Sequence, residues 1–224
     1  YTLKIKSLLD YSEKISNDVQ AVFSLNPSKF SHKEIANKLE NNTDNLAIPE
    51  QVHSTVVEFA RLPGIYPAAD GLVTTNSNIL LTLKVADCVP VFLYEPLKRI
   101  IGLVHSGWRG TVENIVSNAI KLMQKNGAES KDIRCFLGPA IGKCCYEVDW
   151  EVSRNINDEA KEKMDYEKWK VDLHGQIRYQ LTELGVPTNS IGASNICTYE
   201  SPECHSYRRD GENAGRMYAF LSLK

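Results

Sequence analysis

Three residues able to bind a soft metal sit at the edges of apolar runs. They are His53 in Gln51-Val52-His53-Ser54, Cys88 in Ala86-Asp87-Cys88-Val89-Pro90, and His105 in Val104-His105-Ser106-Gly107-Trp108-Arg109-Gly110. Two imidazoles and a thiolate fill three corners of a zinc tetrahedron and leave the fourth open, the pattern of catalytic rather than structural zinc. A lone His or Cys is more often a packed core residue than a ligand. Here the setting argues for ligation: strand edges, nearby glycine and polar neighbours. Asp87, beside Cys88, is a candidate to orient an imidazole or to move protons, because metal-bound histidines usually donate their second N–H to a carboxylate or carbonyl. The competing reading of Asp87 is a turn-forming aspartate.

A second cluster, Ser206-Tyr207-Arg208-Arg209-Asp210-Gly211 followed by Arg216, could bind an anion. Guanidinium groups hold phosphate or carboxylate through paired N–H donors. Adjacent arginines project in different directions, so one is expected to enter a site while the other pairs at the surface. Read by itself, the segment is equally a solvated charged loop that turns at Asp210-Gly211. The chain carries no Cys-x-x-Cys, no His-Glu-x-x-His and no nucleobase-deaminase signature, so common zinc motifs do not account for the ligand set.

These residues need elements to hold them. The sequence predicts strands at 52–59, 71–75, 79–85, 89–94 and 99–104, which leaves Asp87 and Cys88 at a strand break. The turn after His105 leads into the clearest helical periodicity of the chain: Val112, Ile115, Val116, Ala119, Ile120 and Met123, with Thr111 as N-cap and Gly127 as the stop. A strand–turn–helix unit of this kind favours an anion at the helix N-terminus. Further on, 133–137 reads as a strand, 147–156 and 173–184 as helices (the second capped by Asp172), and 191–197 and 216–223 as strands. The irregular alternation points to a mixed α/β (α+β) fold, a layered sandwich of mixed sheets with helices outside, and not to regular βαβ winding.

The chain has 224 residues, 42% hydrophobic and 24% charged, an ordinary globular composition that one domain over 1–224 can accommodate. Residues 1–46 form a polar, divergent N-terminal segment with a helix expected at 31–41, opened by the capping box Ser31-x-x-Glu34. A net charge of −2 offers no general footing for nucleic acid or an anionic membrane. No apolar run approaches a membrane span or a signal peptide, and a chain that does not begin with Met is expected to be a processed or trimmed form. The six cysteines lack the density of a disulfide scaffold, which suggests reduced thiols in a cytoplasmic location. The adjacent pair Cys144-Cys145 reads as two partly buried small side chains.

Several blocks together resemble the laccase-domain family, also called polyphenol-oxidase-like. They are Gln51-Val52-His53, Ala69-Asp70-Gly71-Leu72-Val73-Thr74, Ala86-Asp87-Cys88-Val89-Pro90, His105-Ser106-Gly107-Trp108-Arg109-Gly110, the run from Gly138 to Val148, and Ser206-Tyr207-Arg208-Arg209-Asp210-Gly211 with Gly215-Arg216-Met217. They occur in the family's order from Gln51 to the end. The resemblance implies a fold of two related halves and a zinc-dependent enzyme. Its expected activities are phosphorolysis of adenosine, inosine, guanosine and methylthioadenosine, and deamination of adenosine. Purine nucleosides and phosphate are then the partners. The family's zinc ligands fall on His53, Cys88 and His105. Asp87, Cys88 and Arg209 are taken as catalytic, and Ser106, Arg109, Arg208 and Arg209 as substrate-binding.

One departure is visible. The family usually carries a Thr-Arg-x-Gly-Gly-x-Ser segment near its pocket, but this chain has no Arg before Arg61 and no Gly before Gly64. The corresponding region is Ala21 to Pro27, so an altered or weakened substrate choice is expected. The older family name suggests copper oxidation. A mononuclear plus trinuclear copper set demands more imidazoles than five histidines provide, and no Met lies near Cys88 in sequence as an axial ligand. Copper binding is therefore read as adventitious. Two other functions compete: a thiol hydrolase with Cys88 as nucleophile and His105 or His53 as base, and a metal-binding partner protein with little turnover.

Overall fold

The computed structural model describes residues 8–25, 31–39 and 42–224. In chain order the elements are β1 (Leu8–Asp10), α1 (Ser12–Ile15), β2 (Val19–Ser24), α2 (His32–Lys38), β3 (Leu46–Pro49), β4 (Val57–Phe59), β5 (Gly64–Tyr66), β6 (Gly71–Thr74), β7 (Leu80–Val85), β8 (Val89–Glu95) and β9 (Ile100–Ser106). There follow α3 (Trp108–Val112), α4 (Ile115–Lys125), β10 (Arg134–Leu137), β11 (Glu147–Asp149), α5 (Trp150–Ser153), β12 (Lys161–Lys163), β13 (Lys168–Val171), α6 (Leu173–Glu183), β14 (Ile191–Ala193), α7 (Tyr207–Asp210) and β15 (Met217–Leu223).

Two six-stranded mixed sheets form, with orders β1-β2-β15-β7-β3-β5 and β14-β10-β8-β9-β6-β4. Every residue of β8 and β9 is buried, because their sheet is covered on both faces. Alternation along β8 assigns the faces: Val89, Val91 and Leu93 pack toward α4 and α6, whereas Phe92 and Tyr94 meet Phe23, Leu81, Leu83 and Leu221 of the other sheet. That other sheet is closed outside by α2 through Ile35 and Ala36 against Leu80 and Phe220. The layers run helix, sheet, sheet, helix, in agreement with the expected mixed α/β sandwich. Each fully buried Leu, Val or Phe contributes about 2 kcal/mol, so the central strands are the hardest part of the scaffold to distort. Two of the three metal-ligand candidates, Cys88 and His105, sit at their ends.

Several boundaries differ from expectation for identifiable reasons. The polar N-terminal region holds β2, an almost wholly buried strand between β1 and β15. Its Val19, Ala21 and Phe23 alternate but were masked by the polar residues around them. Ala21 to Ser24 of the region matched to the missing Arg/Gly-Gly segment lie in this strand, and Asn26 and Pro27 lie outside the described residues. The Ser31–Glu34 capping box forms in both directions. Of the helix expected at 31–41, α2 covers His32–Lys38, and Glu40 and Asn41 lie outside the described residues. Only Val57–Phe59 of the expected 52–59 strand is extended, and the 147–156 helix resolves into β11 and the short α5. β11 joins β13 and β12 in a small third sheet. Thr111 does not cap the long helix: its Oγ1 pairs with Ser106 Oγ at 2.8 Å, and Asn114, left-handed at φ 59°, caps α4 by accepting from Ser117 N–H. The helix after His105 is thus the five-residue α3, too short for the aligned dipole expected to hold an anion there. Among the described residues no helix is long and apolar enough to cross a membrane.

Candidate metal centre

Cys88 immediately precedes β8, and His105 is the penultimate residue of β9. The antiparallel register pairs Pro90 with His105 and Val89 with Ser106, which brings Cys88 and His105 together at one end of the central sheet. His53 comes from the loop between β3 and β4. The ligand atoms of His53, Cys88 and His105 all lie within 4.8 Å of one another. A side chain on Gly107 would place its Cβ 2.9 Å from Cys88 Sγ and 3.3 Å from His53 Cδ2, so only glycine lets the backbone pass this close.

Asp70 builds this arrangement. It is fully buried and directly precedes β6, the neighbour of β9. Its carboxylate accepts N–H bonds from Val52 (3.1 Å), His53 (3.1 Å) and Ser54 (2.7 Å), and an O–H bond from Ser54 (2.9 Å). The same carboxylate lies 2.8 Å from His105 Nδ1, which leaves Nε2 to face Cys88. Gln51 and His53 both adopt left-handed φ values of 62°, costing on the order of 1 kcal/mol or more each. The bonds to Asp70 offset that strain and hold His53 in position. Burial pushes the Asp70 carboxyl up, but His105 and Ser54 outweigh it and hold the group below the usual range. In the sequence the only signal for this role is a single acidic residue at the start of an otherwise apolar strand.

Electrostatics favour a thiolate. Burial raises the Cys88 thiol, but His105 and His53 more than reverse this and bring it down to about 6. Burial lowers His105, yet the Cys88 thiolate and Asp70 raise it to about 9. Two imidazoles, one ionised thiol and a carboxylate behind one imidazole are the donor chemistry that suits Zn2+, so the residues present fit that ion.

The centre opens into a cavity of about 1070 Å³, walled by Trp108, Tyr146, Arg109, Arg208 and Arg216 among others. Burial pushes the Tyr146 phenol up to about 12, so it keeps its proton at neutral pH. Arg208 lies over the Tyr146 ring at 5.1 Å and donates to Glu147 O at 2.6 Å. Arg109 stacks on Trp108 at 4.4 Å and, among the described residues, pairs with no carboxylate.

The structure separates the remaining expected site residues. Asp87 lines the cavity but orients no histidine. Its carboxylate accepts from Thr198 Oγ1 (2.6 Å), Ser206 Oγ (3.0 Å) and the Arg208 backbone N–H (2.7 Å), which ties it to the arginine loop. Arg209, expected as catalytic and substrate-binding, turns away from the cavity. It donates to the carbonyls of Thr198, Tyr199, Ser201 and Cys204 and pairs with Asp210 at 2.8 Å. Ser106, expected at the substrate, is fully buried against Thr111. Of the adjacent arginines, only Arg208 faces the cavity.

A family model described as multi-copper polyphenol oxidoreductase laccase matches residues 26–224. The chain belongs to that family. It is 35% identical over 165 residues to purine nucleoside phosphorylase YlmD of Bacillus subtilis, a match covering 70% of this chain and 59% of that protein. It is 32% identical over 212 residues to adenosine deaminase RL5 of an unknown prokaryotic organism, covering 85% of this chain and 79% of that protein. The crystal structure of the Bacillus licheniformis hypothetical protein YfiH superimposes with a TM-score of 0.91 at 28% identity, covering 99% of this chain and 98% of that one. Membership in the laccase family therefore comes with relatives named for purine nucleoside chemistry.

Proposed function

We propose that this laccase-family chain is a zinc-dependent purine nucleoside phosphorylase that also deaminates adenosine. The observation that carries the reading is the convergence of His53, Cys88 and His105, backed by Asp70, at the base of an arginine-walled cavity. The names of its relatives supply the substrate class. His53, Cys88 and His105 would hold the zinc, which supplies Lewis-acid polarisation when bound. The side chain of Arg208, fixed at its backbone by Asp87, offers N–H donors to phosphate, and Arg109 also lines the cavity. Phosphate oxygen attacks the anomeric carbon of the ribose while the bond to the purine breaks. Trp108 and Tyr146 offer aromatic surface to the base, and the protonated Tyr146 hydroxyl can donate a hydrogen bond to the leaving purine. Six free cysteines support a reducing compartment such as the cytoplasm.

The direct test follows purine release from inosine or adenosine with inorganic phosphate, using zinc-loaded protein. No purine and no inosine from adenosine would sink the proposal. A second reading is favoured by the Cys88–His105 pair itself, because a thiol lowered to about 6 beside an imidazole is also a nucleophile. Stoichiometric alkylation of Cys88 in fully metallated protein would favour a thiol hydrolase; protection by zinc favours the phosphorylase.

A further inference from the structure

A second group of soft ligands lies away from the first. Cys144 and Cys145, in the loop between β10 and β11, face Cys197 and Glu200 in the turn after β14. One donor atom from each of the four lies within 4.8 Å of the others. A tetrahedral zinc with thiolate ligands has sulfur–sulfur separations of roughly 3.8 Å, so small side-chain adjustments around an ion close the set. Each turn supplies two donors, Cys144 with Cys145 and Cys197 with Glu200. The turns are already registered: Ala140 forms a parallel bridge with Cys197, and Thr198 N–H donates to Ala140 O at 3.0 Å.

The backbone is shaped around sulfur. Gly142 N–H donates to Cys197 Sγ at 3.3 Å, and a Cβ on Gly142 would lie 3.1 Å from Cys144 Sγ and 3.5 Å from Cys197 Sγ. We infer that Cys144, Cys145, Cys197 and Glu200 form a closed, structural Zn2+ site that staples these two turns together.

The staple has a position in the architecture of the first site. Tyr146 follows Cys145 directly, and Thr198, next to Cys197, donates to Asp87. The carbonyls of Thr198, Tyr199 and Ser201 hold Arg209. A metal here braces the tyrosine and arginine wall without touching substrate. Three thiolates and a carboxylate leave no open position, in contrast to the centre at Cys88. The inference stands apart from the proposed reaction, since neither site supplies a ligand to the other.

Metal content decides it. Wild-type protein equilibrated with Zn2+ and desalted should retain two zinc ions per chain. Cys88→Ala should retain one, and the double variant Cys144→Ser/Cys197→Ser should also retain one. In Cys88→Ala, stripping the remaining zinc should lower the thermal midpoint and open Cys144, Cys145 and Cys197 to alkylation, each identified by mass spectrometry. Because Cys88→Ala leaves the second cluster intact, the inference can be tested even if the double variant fails to fold. Zinc-free Cys88→Ala after equilibration, three thiols alkylated at the same rate with and without zinc, or a disulfide among them in place of metal would each overturn it.

Discussion

Two buried aspartates organise two sets of residues that line the cavity, and they do so differently. Asp70 gathers the His53 loop and the His105 ring into one wall of candidate metal ligands, its oxygens engaged by three backbone N–H groups, Ser54 and an imidazole. Asp87 gathers Thr198, Ser206 and the Arg208 backbone into the arginine-bearing wall. The first acts on ligands carried by or tied to rigid strands, the second on loops distant in sequence. The difference teaches that metal affinity and phosphate affinity should be separable in this molecule, although Asp87 and Cys88 are neighbours in the chain.

The strongest attack on that separation removes the metal itself. Cys88→Ser should empty the first site of zinc and lower phosphorolysis by about a thousandfold, the scale of several kcal/mol of lost charge stabilisation. Elemental analysis and a purine-release assay check both halves, and full activity without metal would refute the zinc reading.

Comparing the aspartates directly comes next. Asp70→Asn should weaken zinc binding roughly 10- to 100-fold, as loss of a group that orients a ligating histidine does. Asp87→Asn should leave zinc affinity unchanged and raise KM for phosphate about tenfold, the scale of one charge-assisted hydrogen bond. Equal loss of zinc in both variants, measured by competition with a chromophoric chelator, would break the two-wall picture.

Proton linkage sharpens the description of the metal wall. In metal-free protein at pH 7.5 the Cys88 thiol, lowered to about 6, is already ionised, while His105, raised to about 9, still carries its proton. Binding zinc must therefore displace a proton from His105. The apparent affinity should rise about tenfold per pH unit between pH 7 and 9 and level off above. Below about 6 protonation of Cys88 adds a second penalty. Calorimetry in buffers of different ionisation enthalpy counts the proton released from His105; none released at pH 7.5 would show that the thiolate–imidazolium pair does not form.

The smallest effects separate the adjacent arginines. Arg208→Ala should raise KM for phosphate about tenfold with the thermal midpoint nearly unchanged. Arg209→Ala should strip donors from four carbonyls, cost about 2 kcal/mol and lower the midpoint by about 4–8 °C, while KM changes little in the folded protein. Kinetics and thermal unfolding on the two variants separate these outcomes, and reversed roles would overturn the assignment.

Much of this was readable from the chain, unevenly. The apolar runs at 79–85, 89–94 and 99–104 identified the central strands because both faces are buried and the residues are correspondingly continuous. Cys88 and His105 were legible as ligands because soft donors stood at the ends of those runs, and His53 because it stood near the start of the stretch expected as a strand at 52–59. The strand Val19–Ser24 was not, since a short alternation among polar neighbours carries too little pattern to mark a core strand. Arg208 and Arg209 could be separated in principle but not in identity: adjacency says that their side chains diverge, and only the carbonyl nest around Arg209 says which one turns away. Asp70 was overlooked in favour of Asp87 because proximity in sequence to Cys88 was a poor guide to proximity in space to His105.

By itself the sequence determined the chemistry on offer: two imidazoles and a thiol for a soft metal, arginines for an anion, and continuous apolar strands to carry them. Those properties belong to side-chain types and local periodicity. Only the tertiary structure decided which donors converge, because the register of Pro90 against His105 and the reach of Asp70 to the His53 loop are long-range pairings. The same holds for the two turns that bring Cys144 and Cys145 to Cys197 and Glu200. Ligand identity is local, whereas coordination requires the folded chain to close on one point.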